Sequence, residues 1–195
     1  MIQDINLLFS TDEFVKEFVE YYINLLINFF SGYDQIKLNI YSRDLILFYM
    51  PLELLRIIIL PQGVINSVIQ FVRVMTKILE NFISEICWPF IDNIRVKGSK
   101  ILYNNEEIEP GIKRYILEHI QSLDKILTNL ERANYTVSGV KSRFCVIGLK
   151  IVGYIYDIEG RRFDIAKIIK ILEWKKSENV SEAKIFIGIC VYYRI

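Results

Sequence analysis

Two short runs of β-branched and aromatic residues, Ile86 to Phe90 and Ile94 to Val96, flank the turn-forming pair Asp92-Asn93. This pattern predicts a β-hairpin with a carboxylate at its tip. Aspartate and asparagine in a turn ordinarily serve the backbone, so the hairpin takes its chemical meaning from its neighbours. Upstream, Tyr22 to Phe30 is an apolar run of strand formers that ends at a Ser31-Gly32 break. It predicts a buried strand.

Between strand and hairpin, apolar residues at 68, 71, 72, 75, 78, 79 and 82 draw a helical stripe over Ser67 to Phe82. The Pro61-Gln62-Gly63 punctuation predicts a loop leading into that helix. Glu109-Pro110 then reads as the opening of a long helix with apolar positions 112, 116, 120, 123, 127 and 130. Phe144 to Tyr156 holds two strand-like runs around Gly148 and Gly153. Asp164 is placed to cap a helix through Trp174, and Ser181 to cap another toward Tyr193. Strands and helices in this order predict an α+β fold, an antiparallel sheet with helices on one face.

Composition removes several function classes. The 195 residues are 52% hydrophobic with a net charge of +1, enough for a real core and without a global polyanion signal. The charge is uneven, however: residues 141–195 carry eleven Lys or Arg against six Asp or Glu. Cys87, Cys145 and Cys190 are odd in number and lack metal-ligand spacing, which suggests reduced thiols inside a cell, in cytoplasm or nucleus. The one histidine, His119, has no partner motif and is expected on a helix surface, leaving Ser-His and metallohydrolase schemes without support. Asp4, Asp12 and Glu13 sit where a signal peptide needs basic and small residues, so no such leader is expected. Tyr21 to Phe30 is too short to span a membrane, and Ile57 to Val72 is broken by Pro61, Gln62 and Gly63. The chain also holds 35 Ile, with Asn, Lys and Tyr plentiful, a usage that AT-rich codons favour.

Several motifs occur in a specific order: Phe29-Phe30-Ser31-Gly32-Tyr33-Asp34-Gln35, Ser42-Arg43-Asp44, Leu60-Pro61-Gln62-Gly63, Phe90-Ile91-Asp92 and Val96-Lys97-Gly98. Glu107 to Gly111, Lys150 to Tyr154 and the Phe186 to Arg194 stretch continue the series. From about Asp12 onward the chain resembles the palm and thumb of reverse transcriptases from gypsy-type LTR retrotransposons, particularly fungal elements. The resemblance implies a division into a fingers remnant over 1–20, a palm over 21–156 and the start of a thumb over 157–195. It implies an RNA template and an RNA·DNA hybrid as partners, no membrane, and Mg²⁺ as cofactor.

The roles carried over are these. Asn28 stands at the family's strand-end catalytic aspartate, and Asp92 and Asn93 stand at its hairpin pair. Tyr33 matches the aromatic gate against the sugar, Gln62 and Gly63 the loop against the incoming nucleotide, and Lys141 a lysine near the leaving phosphates. Val152, Gly153 and Tyr154 match the primer grip. Two-ion nucleotidyl transfer needs carboxylates holding two cations about 3.5–4 Å apart. An asparagine offers one neutral oxygen instead. With Asn28 and Asn93 in place, the resemblance implies a degenerate site that holds Mg²⁺ weakly, at Asp92 alone. Asp-to-Asn at both positions, and Glu53 where the family favours Gly, are G-to-A changes that fit a decaying copy. The readings left open are a vestigial polymerase, a non-catalytic RNA or RNA·DNA binder, and a product without selected function.

Overall fold

The computed structural model describes residues 20–64, 66–151 and 153–193. The fingers remnant (except Glu20), Val152 and Arg194 lie outside the described residues. The centre is a four-stranded antiparallel sheet. Strand β1 (Asn24–Asn28) is followed by a 3-10 turn (Gly32–Gln35), a short helix α1 (Ile40–Arg43) and the hairpin β2 (Leu47–Tyr49) and β3 (Leu54–Arg56). Helix α2 (Ser67–Ile78) leads to the predicted hairpin, β4 (Cys87–Phe90) and β5 (Asn93–Lys97). After a small hairpin of β6 (Glu107–Glu109) and β7 (Ile112–Lys113) comes the long helix α3 (Arg114–Arg132) and then β8 (Arg143–Val146). Strand order in the central sheet is β4-β5-β1-β8. Strands β9 (Leu149–Ile151), β10 (Tyr154–Asp157) and β11 (Gly160–Phe163) form a second sheet, and helices α4 (Ile165–Leu172) and α5 (Val180–Tyr193) follow.

Period-two alternation assigns the faces of the central sheet. Leu25 and Ile27 of β1, Cys87 of β4, and Ile94 and Val96 of β5 bury one face against Phe71 and Met75 of α2 and Ile126 and Leu130 of α3. Each such side chain stabilises the fold by about 1.5–3 kcal/mol through removal from water. The other face is not left bare. Leu26, Trp88 and Phe90 pack with Leu149, Tyr154 and Tyr156 of the second sheet and with Ile171 and Ile189 of the last two helices. The expected helix layer on one face is present, but helices are not confined to it: a second sheet and the last two helices cover the opposite face.

Three local expectations are corrected. Pro110-Gly111 turns a hairpin rather than opening a helix: Gly111 has φ +78°, Glu109 pairs with Ile112, and α3 begins at Arg114. Helix α5 is capped by Asn179, whose Oδ1 accepts the Glu182 amide at 2.9 Å, so Ser181 sits inside the first turn. His119 is 1% exposed and not on a surface. The Asp164 cap is as expected, its carboxylate accepting the Ala166 amide at 3.2 Å.

One close approach fixes how the chain leaves β5. A Cβ on Gly98 would lie 1.8 Å from the Ile23 carbonyl oxygen, so only glycine fits where this turn crosses the start of β1.

Candidate active site

The antiparallel register of β1 and β5 runs from Asn24 opposite Lys97 to Asn28 opposite Asn93. The last residue of one strand therefore faces the first residue of the other, with Asp92 in the adjoining turn. Ile91 precedes it at φ +51°, a left-handed conformation that lets β4 and β5 reverse in two residues.

The three side chains are bonded in series. Asn28 Nδ2 donates to Asn93 Oδ1 at 2.7 Å, and Asn93 Nδ2 donates to Asp92 Oδ1 at 2.8 Å. The directions are forced. A carboxylate only accepts, so Asn93 must turn its NH₂ to Asp92, leaving its carbonyl to be filled by Asn28. The Asn28 backbone is held as firmly: its N–H donates to Ser142 Oγ at 3.0 Å, and its carbonyl accepts the Ser138 amide at 2.7 Å. Ser138 and Ser142 are buried, and sequence reasoning missed both. Their only signal is adjacency to Lys141.

Beside this tip lies a polar cavity of about 170 Å³, lined by Asn28, Phe29, Ser31, Gly32, Tyr33, Asp34, Gln62, Asp92 and Lys141. Five residues singled out from sequence thus meet in one place: Asn28, Tyr33, Gln62, Asp92 and Lys141. Tyr33 is largely buried, its ring 4.9 Å from that of Phe71 and tilted 31°. Burial raises its phenol above the ordinary value, and the nearby Asp92 carboxylate adds to the rise. Gly32 allows this packing, because a Cβ there would meet Phe29 Cβ at 2.9 Å and the Phe71 ring at 3.0 Å. Gln35 ties the 3-10 turn to the loop before Ser138, donating to Phe30 and Thr136 carbonyls and accepting the Thr136 amide at 2.7 Å.

The remaining expected residues fall elsewhere. Gly63 does not line the cavity; it takes φ +90° in open space, as a turn glycine does. Gly153 turns β9 into β10 at φ +83°. Tyr154 is buried in the second sheet, its ring 5.3 Å from Phe163, with the Arg161 guanidinium 4.8 Å above it. No group of three or more His, Cys, Asp or Glu is placed to hold a metal ion among the described residues. With Asn93 bonded to Asp92 and Asn28 bonded to Asn93, amides hold two of the three tip positions, which does not fit a two-ion site.

No protein-family model matches the sequence. Individual proteins do. The chain is 27% identical over 165 residues, 85% of its length, to the retrovirus-related Pol polyprotein of transposon gypsy of Drosophila melanogaster. It is 30% identical over 135 residues to that of transposon opus from the same organism. It is 23% identical over 164 residues to the transposon Tf2-7 polyprotein of Schizosaccharomyces pombe. The chain is homologous to retrotransposon Pol polyproteins. It spans only 14%, 12% and 11% of these three relatives. The fold agrees. The foamy viral protease-reverse transcriptase solved with an RNA/DNA hybrid superposes with TM-score 0.80 over 98% of this chain and 24% of its own, at 19% identity. The same viral protein solved with dsDNA gives 0.78 over 100% of this chain and 37% of its own, also at 19% identity. The architecture of this Pol-related chain is therefore reverse-transcriptase-like.

No helix among the described residues is long and apolar enough to cross a membrane.

Proposed function

We propose that this chain is the palm and thumb start of a gypsy-type, fungal-type reverse transcriptase copy that grips RNA and RNA·DNA hybrids inside the cell but no longer polymerises. The observation that carries this reading is the series Asn28–Asn93–Asp92 at the sheet tip, where two of the three carboxylate positions of the resemblance hold amides bonded to each other. The division at residue 156, within β10, the primer grip at Val152, Gly153 and Tyr154, and Gly63 beside a nucleotide belong to the same proposal.

Within it, the remaining parts keep their shape. Tyr33, Gln62 and Lys141 line the cavity, and a phenol, an amide and an ammonium are groups suited to a sugar, a base edge and a phosphate. The lost charge is decisive for the chemistry. A bound metal ion supplies several kcal/mol of transition-state stabilisation. Losing about 5 kcal/mol slows a reaction by three to four orders of magnitude.

Primer extension on an RNA template tests this directly. The unmodified chain is expected to give no product, and neither Asn28→Asp nor Asn93→Asp alone is expected to give any, because such groups act as one unit. Both reversions together are expected to give weak extension. Full-rate synthesis by the unmodified chain would overturn the reading. A chain that fails to bind any hybrid would leave only a product without selected function.

A further inference from the structure

The hydrogen-bond series at the sheet tip contains no like-charged contact. Asn28 donates, Asn93 accepts and donates, and Asp92 accepts, at 2.7 and 2.8 Å. Carboxylates at all three positions would bring acceptor against acceptor at these separations. Such an arrangement repels itself unless a proton or a cation sits between the oxygens. The amide NH₂ groups supply hydrogens in those places. Backbone restraint supports the same geometry from outside, through Ser138, Ser142 and the Asn28–Asn93 register.

Cavity charge points the same way. Its charged lining residues are Asp34, Asp92 and Lys141, two acids and one base. Two further carboxylates at 28 and 93 would make the tip strongly repulsive to phosphate until cations neutralised it.

We propose that the Asn28 and Asn93 amides replace the divalent cation that a three-carboxylate tip needs, so that the tip is assembled without metal and the chain holds a nucleic-acid backbone independently of Mg²⁺. The second clause rests on the nucleic-acid reading above; the first does not.

The test compares the full 195-residue chain with N28D/N93D in EDTA and in millimolar Mg²⁺, by melting temperature and by binding of a fluorescent RNA·DNA hybrid at constant ionic strength. The unmodified chain is expected to melt at the same temperature in both solutions. The double variant is expected to melt lower in EDTA and to regain several degrees in Mg²⁺, since a ligand bound only by the folded state stabilises it. Saturable stabilisation of the unmodified chain by Mg²⁺, or a double variant as stable as the unmodified chain in EDTA, would overturn the substitution. If the double variant does not fold, N93D alone carries the comparison. Its Asp92 and new carboxylate must share a proton when no cation is present, so its deficit in EDTA should grow from pH 5 to pH 8. A deficit that does not change with pH would overturn the proposal. In the binding arm, hybrid affinity of the unmodified chain is expected to be no higher in Mg²⁺ than in EDTA, and affinity that rises with Mg²⁺ would overturn the second clause. A chain that binds no hybrid in either solution refutes the nucleic-acid reading, while the melting arm still judges the amides.

Discussion

Asn93 and His119 show how a residue's neighbours decide its chemistry. The Asn93 amide accepts from Asn28 on one strand with its oxygen and donates to Asp92 on the turn with its nitrogen; a carboxylate there would keep the first bond but repel Asp92. The flanking residues marked a strand end and a hairpin tip, but that the two meet was legible only through the family resemblance. His119 was misread for a reason of phase. The apolar count places the buried stripe of its helix over 116, 120, 123, 127 and 130; Leu130 is buried and Leu123 and Leu127 pack on the core, but His119 and Ile126 are buried as well, and Ile120 is 45% exposed. Counting apolar types skipped a polar residue that lies within the stripe. His119 Nδ1 lies 3.2 Å from the Lys97 carbonyl. Burial lowers its pKa, the Lys97 hydrogen bond opposes the shift, and the Arg95 charge adds to the lowering. The unfolded chain therefore binds this proton at the ordinary value near 6.5 while the folded chain resists it. The resulting stability is complete above pH 6.5 and falls as pH drops below it, by up to about 1.4 kcal/mol per pH unit. Urea unfolding of the chain and of His119→Gln between pH 5 and 7 should show the steeper acid loss only with the histidine present. Beyond their nearness to Lys141, Ser142 and Ser138 were not legible, since a hydroxyl that accepts the Asn28 amide and a backbone N–H that donates to the Asn28 carbonyl leave no spacing to detect.

Among elements, strands and their order were easier to read than helix starts. The central strand and the hairpin lie where their β-formers put them, with the turn on Ile91-Asp92 instead of Asp92-Asn93, and helix α2 starts at Ser67 as its stripe predicts but ends at Ile78, short of Phe82. Helix α3 does not begin where expected, because Pro suits both a first helical turn and a tight reversal. Gly111 resolves the choice, as its φ of +78° is a turn conformation that other residues adopt at a cost. Gly111→Val should lower stability by about 1–2 kcal/mol, measured by chemical denaturation, while leaving the helix content of α3 unchanged by circular dichroism. If Pro110 instead opened a helix, the same change would cost little. Helix α5 carried its cap in plain view as Asn179 followed three residues later by Glu182. Glu182 also returns its side chain to Asn179 Nδ2 at 2.9 Å and to the Glu178 amide at 2.8 Å. That reciprocal arrangement outcompetes Ser181, which stands one turn position too late.

For the whole molecule, the antiparallel sheet and its helical layer follow from periodicity, whereas the second sheet over Leu26, Trp88 and Phe90 does not. Nothing in a strand's own pattern says which distant hairpin will cover its second face. Electrostatics at this scale bears on binding. The basic surplus of residues 141–195 spreads over the second sheet and the last helices, where Arg161 and Arg162 sit on β11 and Lys167 and Lys170 on α4. Hybrid binding should weaken steeply between 50 and 200 mM salt, with log Kd linear in log salt, because phosphate neutralisation releases counterions. Affinity insensitive to salt would mean that these cations do not touch the backbone. Strand β1 has one further consequence. It lies between β5 and β8, and its end carries Asn28, while its middle carries Leu25 and Ile27 of the main core. The amide hydrogen of Asn28, held by Ser142 Oγ at a half-buried strand end beside the cavity, is therefore expected to trade with deuterium by local opening, sooner than the amides of the buried middle of β1.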